Sequence, residues 1–195
     1  MKEQTLAPLH QKYSSMKIVV YCSATDNLPD NWQEGARLTG RWIGSHKASL
    51  VYGGVDSGLM QIVAHATKDA GGDIIGIVPA RRLHKASPLN DLLIRTSALN
   101  DRKSVMQMLG DVFVVLPGGY GTLDELSTSF AYLNFTRQRR PIIIYNPDHI
   151  FDPVLTQYTR MAELGLMSSD ALGLITVTTT PEELEKALDN TLSHA

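Results

Sequence analysis

The segment Pro117-Gly-Gly-Tyr-Gly-Thr-Leu-Asp-Glu125 sets glycine, hydroxyl and carboxylate side by side, and the chemistry it suggests is anion binding. Gly118, Gly119 and Gly121 let the backbone approach a ligand closely and turn its N–H groups inward. A helix starting at Thr122 would add its positive N-terminal end. The expected result is a site sized for a monophosphate, with Gly118, Gly119, Tyr120, Gly121 and Thr122 as candidate binding residues. Glu125 has two readings. As the last residue of Thr122-x-x-Glu125 it completes a capping box and returns a hydrogen bond to the helix start. As an acid beside an anion site it could take part in a reaction. Spacing alone leaves both open. Asp124 reads as an ordinary first-turn acid.

Upstream, Asn100-Asp101-Arg102-Lys103 opens another helix. Two cations there oppose the helix dipole. Such a broken local rule asks for compensation by a phosphate or a carboxylate; the alternative is a pair of solvated side chains. Gly53-Gly54-Val-Asp-Ser57-Gly58-Leu-Met60 has the glycine spacing of a P-loop, but Leu59-Met60 stands where lysine and a hydroxyl residue belong. Hydrolysis of a nucleoside triphosphate is therefore not expected. The turn could cradle one phosphate or lie against a sugar through Gly53, Gly54 and Ser57, or it is only a tight strand-to-helix turn. Ser23-Ala-Thr-Asp26 follows the first strand without a glycine, so the dinucleotide fingerprint is missing. Ser23 and Thr25 could serve a ligand or their own turn. The histidines are scattered, with no His-Glu-x-x-His, and no metal site is expected.

The chain that positions these groups has 195 residues, 43% hydrophobic and 19% charged, as in an ordinary globular protein. Residues 1–15 read as an N-terminal arm without the apolar stretch of a secretory signal, and 16–195 as one domain. A net charge of −2 and a pI of about 6.3 argue against a general nucleic-acid binder. The single cysteine, Cys22, excludes an intrachain disulfide and fits a reducing compartment. No apolar run approaches the ~20 residues that span a bilayer. A cytoplasmic location is the expectation.

Short β-rich runs alternate with amphipathic stretches. Strands are expected at 17–22, 48–52, 73–78, 92–96, 111–116, 141–145 and 174–177. Helices are expected at 30–46, 58–70, 101–109, 122–137 and 150–164, and a last one opens at the capping box Thr180-Pro-Glu-Glu183. Arg81-Arg-Leu-His-Lys85 reads as a solvated loop, and Arg137-Gln-Arg-Arg140 as a structural or interfacial cluster at a helix end. Several strands are apolar on both faces, as in a parallel sheet covered by helices. The fold class is therefore α/β, a doubly wound, mostly parallel sheet flanked by helices. Ligands of such sheets bind beyond the carboxyl ends of the strands, where the loops above lie.

Taken in order, Gly53-Gly54 through Gly58-Leu-Met60, Arg102-Lys103 and Pro117-Gly-Gly-Tyr-Gly-Thr-Leu-Asp-Glu125 resemble the Lonely Guy (LOG) family. Members are phosphoribohydrolases acting on cytokinin riboside 5′-monophosphates and are often labelled lysine decarboxylase-like. The similarity runs over roughly 17–188. It implies a Rossmann-like fold, a homodimer with the active site near the subunit interface, and a purine nucleoside 5′-monophosphate as substrate. Arg102 and Glu125 would be the catalytic pair; Gly118, Gly119, Gly121 and Thr122 would hold the 5′-phosphate, and Lys103 would line the nucleotide site. No cofactor is implied. The chain departs from the family in having Cys22-Ser-Ala-Thr-Asp26 after the first strand, Asn100-Asp101 before Arg-Lys, Gln61 after Gly-Leu-Met, and Ser129–Phe135 in place of a tryptophan-bearing segment.

The reaction implied is hydrolysis of the N-glycosidic bond through an oxocarbenium-like transition state, giving free base and ribose 5-phosphate. A true decarboxylase would need a pyridoxal phosphate lysine and a partner for the ring nitrogen, and Lys103 beside Arg102 carries no such motif. The alternative class is a nucleotide or molybdenum-cofactor carrier, which shares the fold and glycine loop but releases no base.

Overall fold

Runs of β-branched and aromatic residues become strands, of which Lys17–Tyr21, Ser49–Tyr52, Asp73–Pro79, Val112–Val115 and Ile142–Tyr145 are buried on both faces, and the stretches of helical period between them become the covering helices. The computed structural model describes residues 15–192. In chain order the elements are β1 (Lys17–Tyr21), α1 (Asp30–Ser45), β2 (Ser49–Tyr52), α2 (Gly58–Asp69), β3 (Asp73–Pro79), a 3-10 helix (Ala80–Lys85), β4 (Leu92–Thr96), α3 (Leu99–Leu109), β5 (Val112–Val115), α4 (Tyr120–Thr136), β6 (Ile142–Tyr145), α5 (Asp152–Glu163), α6 (Ser169–Leu172), β7 (Ile175–Thr178) and α7 (Pro181–Leu192). Of the arm expected over 1–15, all but Ser15 lies outside the described residues.

The seven strands form one sheet in the order β4-β3-β2-β1-β5-β6-β7, and every neighbouring pair is parallel. The α/β doubly wound expectation holds, and "mostly parallel" sharpens to all-parallel. Alternate residues of each strand face opposite layers. Ile18, Val20, Leu50, Ile74, Val114 and Ile143 pack under Trp42 and Ile43 of α1, Leu59 and Val63 of α2, and Leu184 and Leu188 of α7. Val19, Tyr21, Val51, Ile75, Phe113 and Val115 pack under Met106 of α3, Leu126, Phe130 and Leu133 of α4, and Tyr158 of α5. Each fully buried aliphatic or aromatic side chain contributes roughly 2 kcal/mol of transfer free energy. Among the described residues, no helix is long and apolar enough to cross a membrane.

Strand order reverses between β1 and β5. The chain leaves β1 toward α1 and β2 on one side, and leaves β5 toward α4 and β6 on the other. The two loops diverge there and open a crevice at the carboxyl ends. They are tied at its floor, where the Ser23 N–H donates to the Pro117 carbonyl at 3.1 Å.

Most boundaries shift by a residue or two from expectation, and two of the shifts are at helix starts that bear on the site. Helix α3 begins at Leu99 rather than Asp101, and α4 at Tyr120 rather than Thr122. Asp101 then sits in the first turn of α3, where its carboxylate accepts the Ala98 N–H at 3.0 Å. The basic segment 81–85 forms the 3-10 helix and buries nothing. Arg140 of the second basic cluster is structural: its guanidinium donates to the Gln107 and Gly110 carbonyls at 2.9 and 2.6 Å and so closes the end of α3. Cations suit that end of a helix.

Candidate active site

Helices α3 and α4 pack on the same face of the sheet and carry the charged residues toward the β1–β5 crevice. Arg102 Nη2 lies 2.8 Å from Glu125 Oε1, and the two side chains retain only 11% and 7% of their exposure. Arg102 reaches this place because β2 ends in glycine: a Cβ at Gly53 would stand 2.5 Å from Nη2. The guanidinium therefore lies against the Gly53 backbone. Its Nε is buried with no partner among the described residues. A buried donor left unpaired costs about 1–3 kcal/mol, and such a cost marks a place where a ligand can supply the acceptor.

Burial pushes the Glu125 carboxyl above the ordinary carboxylate range; the neighbouring Arg102 pulls it back without cancelling the effect, and Asp124 adds to the rise. Tyr21, the last residue of β1, stands below it, and Tyr21 and the following Cys22 are both held protonated by burial. The Tyr21 hydroxyl lies 2.8 Å from that of Ser129, which also accepts from Gln107 Nε2 at 3.4 Å. This buried polar set, spanning β1, α3 and α4, forms the floor under the pair.

The two glycine turns end differently. At the start of α4, the N–H groups of Gly118, Gly119, Tyr120, Gly121 and Thr122 have no acceptor among the described residues; the first amide engaged is that of Leu123, donating to Gly119. Gly119 and Gly121 face open space, Tyr120 is 93% exposed, and Thr122 is buried with its Oγ1 against Gly118. At the start of α2, the Gly58 N–H donates to Asp26 Oδ1 at 2.9 Å and the Leu59 N–H to the Ser23 carbonyl at 3.0 Å. Asp26 thus occupies the place a phosphate would take there. Gly54 gives its carbonyl to the Ser87 N–H and to Asn90 Nδ2, at 2.8 and 3.1 Å. Ser57 is half-buried and its side chain caps nothing. Of the Gly53 turn, then, Gly53 itself joins the Arg102–Glu125 pair, whereas the contacts of Gly54 and Ser57 are made elsewhere.

Lys103, expected to line the nucleotide site, points its ammonium at both oxygens of Asp124, at 2.9 and 2.7 Å. Asp124 is therefore not the first-turn acid expected: α4 starts at Tyr120, which places Asp124 beyond the first turn, paired with Lys103. The two cations at the start of α3 are compensated by two consecutive carboxylates on α4. The adjacent pairs Arg-Lys and Asp-Glu, of opposite sign on successive helices, were a signal for this partnership. Nothing local marked Asp26, whose partner is 32 residues away.

A cleft of about 610 Å³ lies between α1 and α2, lined by Arg37, Arg41, Ile62, His65 and Asp69, apart from the Arg102–Glu125 pair. Both of its arginines are drawn to Glu34, at 3.0 and 2.8 Å. Among the described residues, no three His, Cys, Asp or Glu side chains converge as a metal site would require.

Residues 60–188 match the family model described as "Possible lysine decarboxylase". The cytokinin riboside 5′-monophosphate phosphoribohydrolase LOG of Oryza sativa subsp. japonica is 31% identical over 176 residues, covering 89% of this chain and 72% of that protein. The phosphoribohydrolase LOG3 of Arabidopsis thaliana is 31% identical over 182 residues, covering 92% and 84%. Among solved structures, the molybdenum cofactor binding protein of Rippkaea orientalis superposes with a TM-score of 0.71 at 23% identity, covering 91% of this chain and 98% of its own. The molybdenum cofactor carrier protein of Chlamydomonas reinhardtii gives 0.71 at 21%, covering 92% and 99%. At such identities these two likenesses speak for the fold alone. The family match and the extended similarity to the phosphoribohydrolases carry more: this chain belongs to the LOG family, the one its model describes as possible lysine decarboxylase.

Proposed function

We propose that the protein hydrolyses the N-glycosidic bond of a purine nucleoside 5′-monophosphate, a cytokinin riboside 5′-monophosphate or AMP, to free base and ribose 5-phosphate. The observation that carries this reading is the buried Arg102–Glu125 pair beside a row of unpaired amides at the start of α4. The amides of Gly118 to Thr122 and the helix dipole hold the 5′-phosphate. Binding at that remote group aligns the ribose with the pair, converting phosphate affinity into orientation at C1′.

In the reaction the C1′–N bond breaks and its electron pair leaves with the base. The oxygen of water bonds to C1′, and the proton that water loses ends on the departing base nitrogen. Glu125 either stabilises the oxocarbenium charge or takes that proton from the attacking water. A carboxylate whose midpoint lies above the ordinary range is a stronger base than a solvated one, which suits it to take that proton. Arg102 orients Glu125 and the ribose hydroxyls, and its unpaired Nε offers one more donor. Self-association as a homodimer belongs to the same reading. Its support is the exposed apolar surface on α3 and α4, where Met108, Leu123 and Phe135 face outward.

The test is base release, followed by chromatography, from AMP and from N6-isopentenyl-AMP, with the unphosphorylated nucleosides and a Glu125→Gln variant alongside. Release from a monophosphate that the variant abolishes is the expected result, and the ratio of the two substrates names the base. Tight retention of nucleotide without release would overturn hydrolysis in favour of a carrier.

A further inference from the structure

The Lys103 ammonium has three hydrogens, and each has an acceptor in reach. Asp124 Oδ1 and Oδ2 stand at 2.9 and 2.7 Å and Thr128 Oγ1 at 3.4 Å. The Thr128 hydroxyl in turn donates to Asp124 Oδ1 at 3.2 Å, closing a triangle one helical turn deep. The Lys103 side chain keeps 11% of its exposure, and the Asp124 side chain 49%. A lysine in this state has no hydrogen left for a phosphate unless it abandons Asp124.

Consecutive residues on a helix point about 100° apart. Arg102 and Lys103 therefore leave α3 in different directions, as do Asp124 and Glu125 from α4. A single cross-link between two helices leaves each free to roll about its axis. Two adjacent cross-links at different azimuths fix the roll. Arg102–Glu125 is one of these and Lys103–Asp124 the other.

We propose that Lys103 and Asp124, with Thr128, are positioning residues that hold the Arg102–Glu125 pair in register, and that Lys103 is not a ligand of the nucleotide. The inference rests on the proposed hydrolase reading for its kinetic consequence, but not for its structural one. The charged and titratable groups that act on or feel Glu125 are Arg102 and Lys103 from α3, Asp124 from α4, Tyr21 at the end of β1 and Cys22 just after it. Of these, Lys103 and Asp124 act on Glu125 with opposite sign. Removing Lys103 leaves the Asp124 charge facing Glu125 uncancelled and raises the Glu125 midpoint. Removing the Asp124 charge leaves the ammonium uncancelled and lowers it. Loss of a merely structural contact would not produce opposite shifts.

The experiment compares wild type, Lys103→Met, Asp124→Asn and the double variant. The Glu125 midpoint is followed by carboxyl carbon NMR, with the resonance assigned from its absence in Glu125→Gln. AMP affinity is measured by calorimetry, and kcat and KM by base release. Expected are midpoint shifts of opposite sign, AMP affinity within about threefold of wild type, and kcat reduced about tenfold by misplacement of the pair. The double variant should be no worse than either single one. A loss of AMP affinity of about tenfold or more in Lys103→Met, with Asp124→Asn binding normally, would make Lys103 a phosphate ligand and overturn the proposal. Midpoints that do not move apart would overturn it as well. If wild type releases no base, the hydrolase reading fails, and the NMR arm still decides whether the second pair acts on the first. Should Lys103→Met fail to fold, Asp124→Asn, on a half-exposed side chain, decides by the direction of its shift.

Discussion

Thr122-Leu-Asp-Glu125 and Thr180-Pro-Glu-Glu183 have the same residue types at the same spacing near a helix start. They come to opposite ends. Helix α7 begins at Pro181, so Thr180 precedes its first turn and Glu183 completes it. Glu183 Oε2 accepts from the Thr179 N–H at 2.7 Å and the Thr180 N–H at 3.4 Å, and the Glu183 N–H donates to Thr180 Oγ1 at 3.2 Å. That is a capping box. Helix α4 begins two residues before its threonine, at Tyr120, with Gly119 as the cap. Thr122 is already inside the first turn and Glu125 is beyond it, turned toward the interior and Arg102. The two-residue shift rotates the pair by about 200° around the helix. Hydrogen bonds then hold the exposed Glu183 below the ordinary carboxylate range, while burial holds Glu125 above it. A capping motif is defined by where its helix starts, and in α4 the glycines move the start.

The largest effect expected from this contrast is on turnover. Glu125→Gln should lower kcat by about a thousandfold, the scale of a lost acid–base or charge-stabilising group. Glu183→Gln should leave kcat at the wild-type value. Comparable losses in both would erase the distinction between the two quartets.

Next comes the open face of α4. Among the described residues, a Cβ at Gly121 meets nothing within 4 Å beyond its chain neighbours and its own helix backbone, so the fold should tolerate alanine there, as thermal melting will show. The added methyl should instead obstruct a phosphate at the amides and raise KM about tenfold, the equivalent of one impaired charge-assisted hydrogen bond. A normal KM would mean that the phosphate sits elsewhere.

Dependence on pH should separate the two acids by sign. Glu183, held low, stabilises the fold above the ordinary carboxylate value, and that contribution is lost as pH falls through its own lower midpoint. Glu125, held high, favours the fold when protonated, and its contribution declines as pH rises from the ordinary value toward its own midpoint. Melting curves of the two Glu→Gln variants against wild type should therefore diverge in opposite directions across the acidic range. The acid limb of kcat should also lie above the ordinary carboxylate range, since catalysis uses the ionised Glu125.

The smallest effect is the cap itself. Thr180→Ala should cost about 1 kcal/mol of stability in denaturant titration, with no change in kinetics. A kinetic defect would tie α7 to the site in a way that no contact among the described residues suggests.

Much of this was legible from residue types. The strands followed from β-branched runs, and the mostly parallel, doubly wound sheet from strands apolar on both faces. The broken dipole rule at Arg102-Lys103 pointed to a partner, and carboxylates compensate it. The helix starts were less legible. Gly119-Tyr-Gly121 is poor helix material, and Thr122 is a better cap by propensity. The chain nevertheless turns helical at Tyr120, and that decided which way Glu125 faces. Asp26 gave no local sign that it would cap α2.

By itself the sequence determined the kinds of groups available, the alternation of strand and helix, and the glycines that leave backbone amides bare. These are set by side-chain chemistry and by periodicities of a few residues. Tertiary structure decided which cation meets which carboxylate, which glycine turn is filled and which is open, and whether a Thr-x-x-Glu quartet caps or faces inward. Those outcomes depend on the reversal of strand order between β1 and β5 and on the packing of α3 against α4. They join residues more than twenty positions apart, beyond the reach of any local signal.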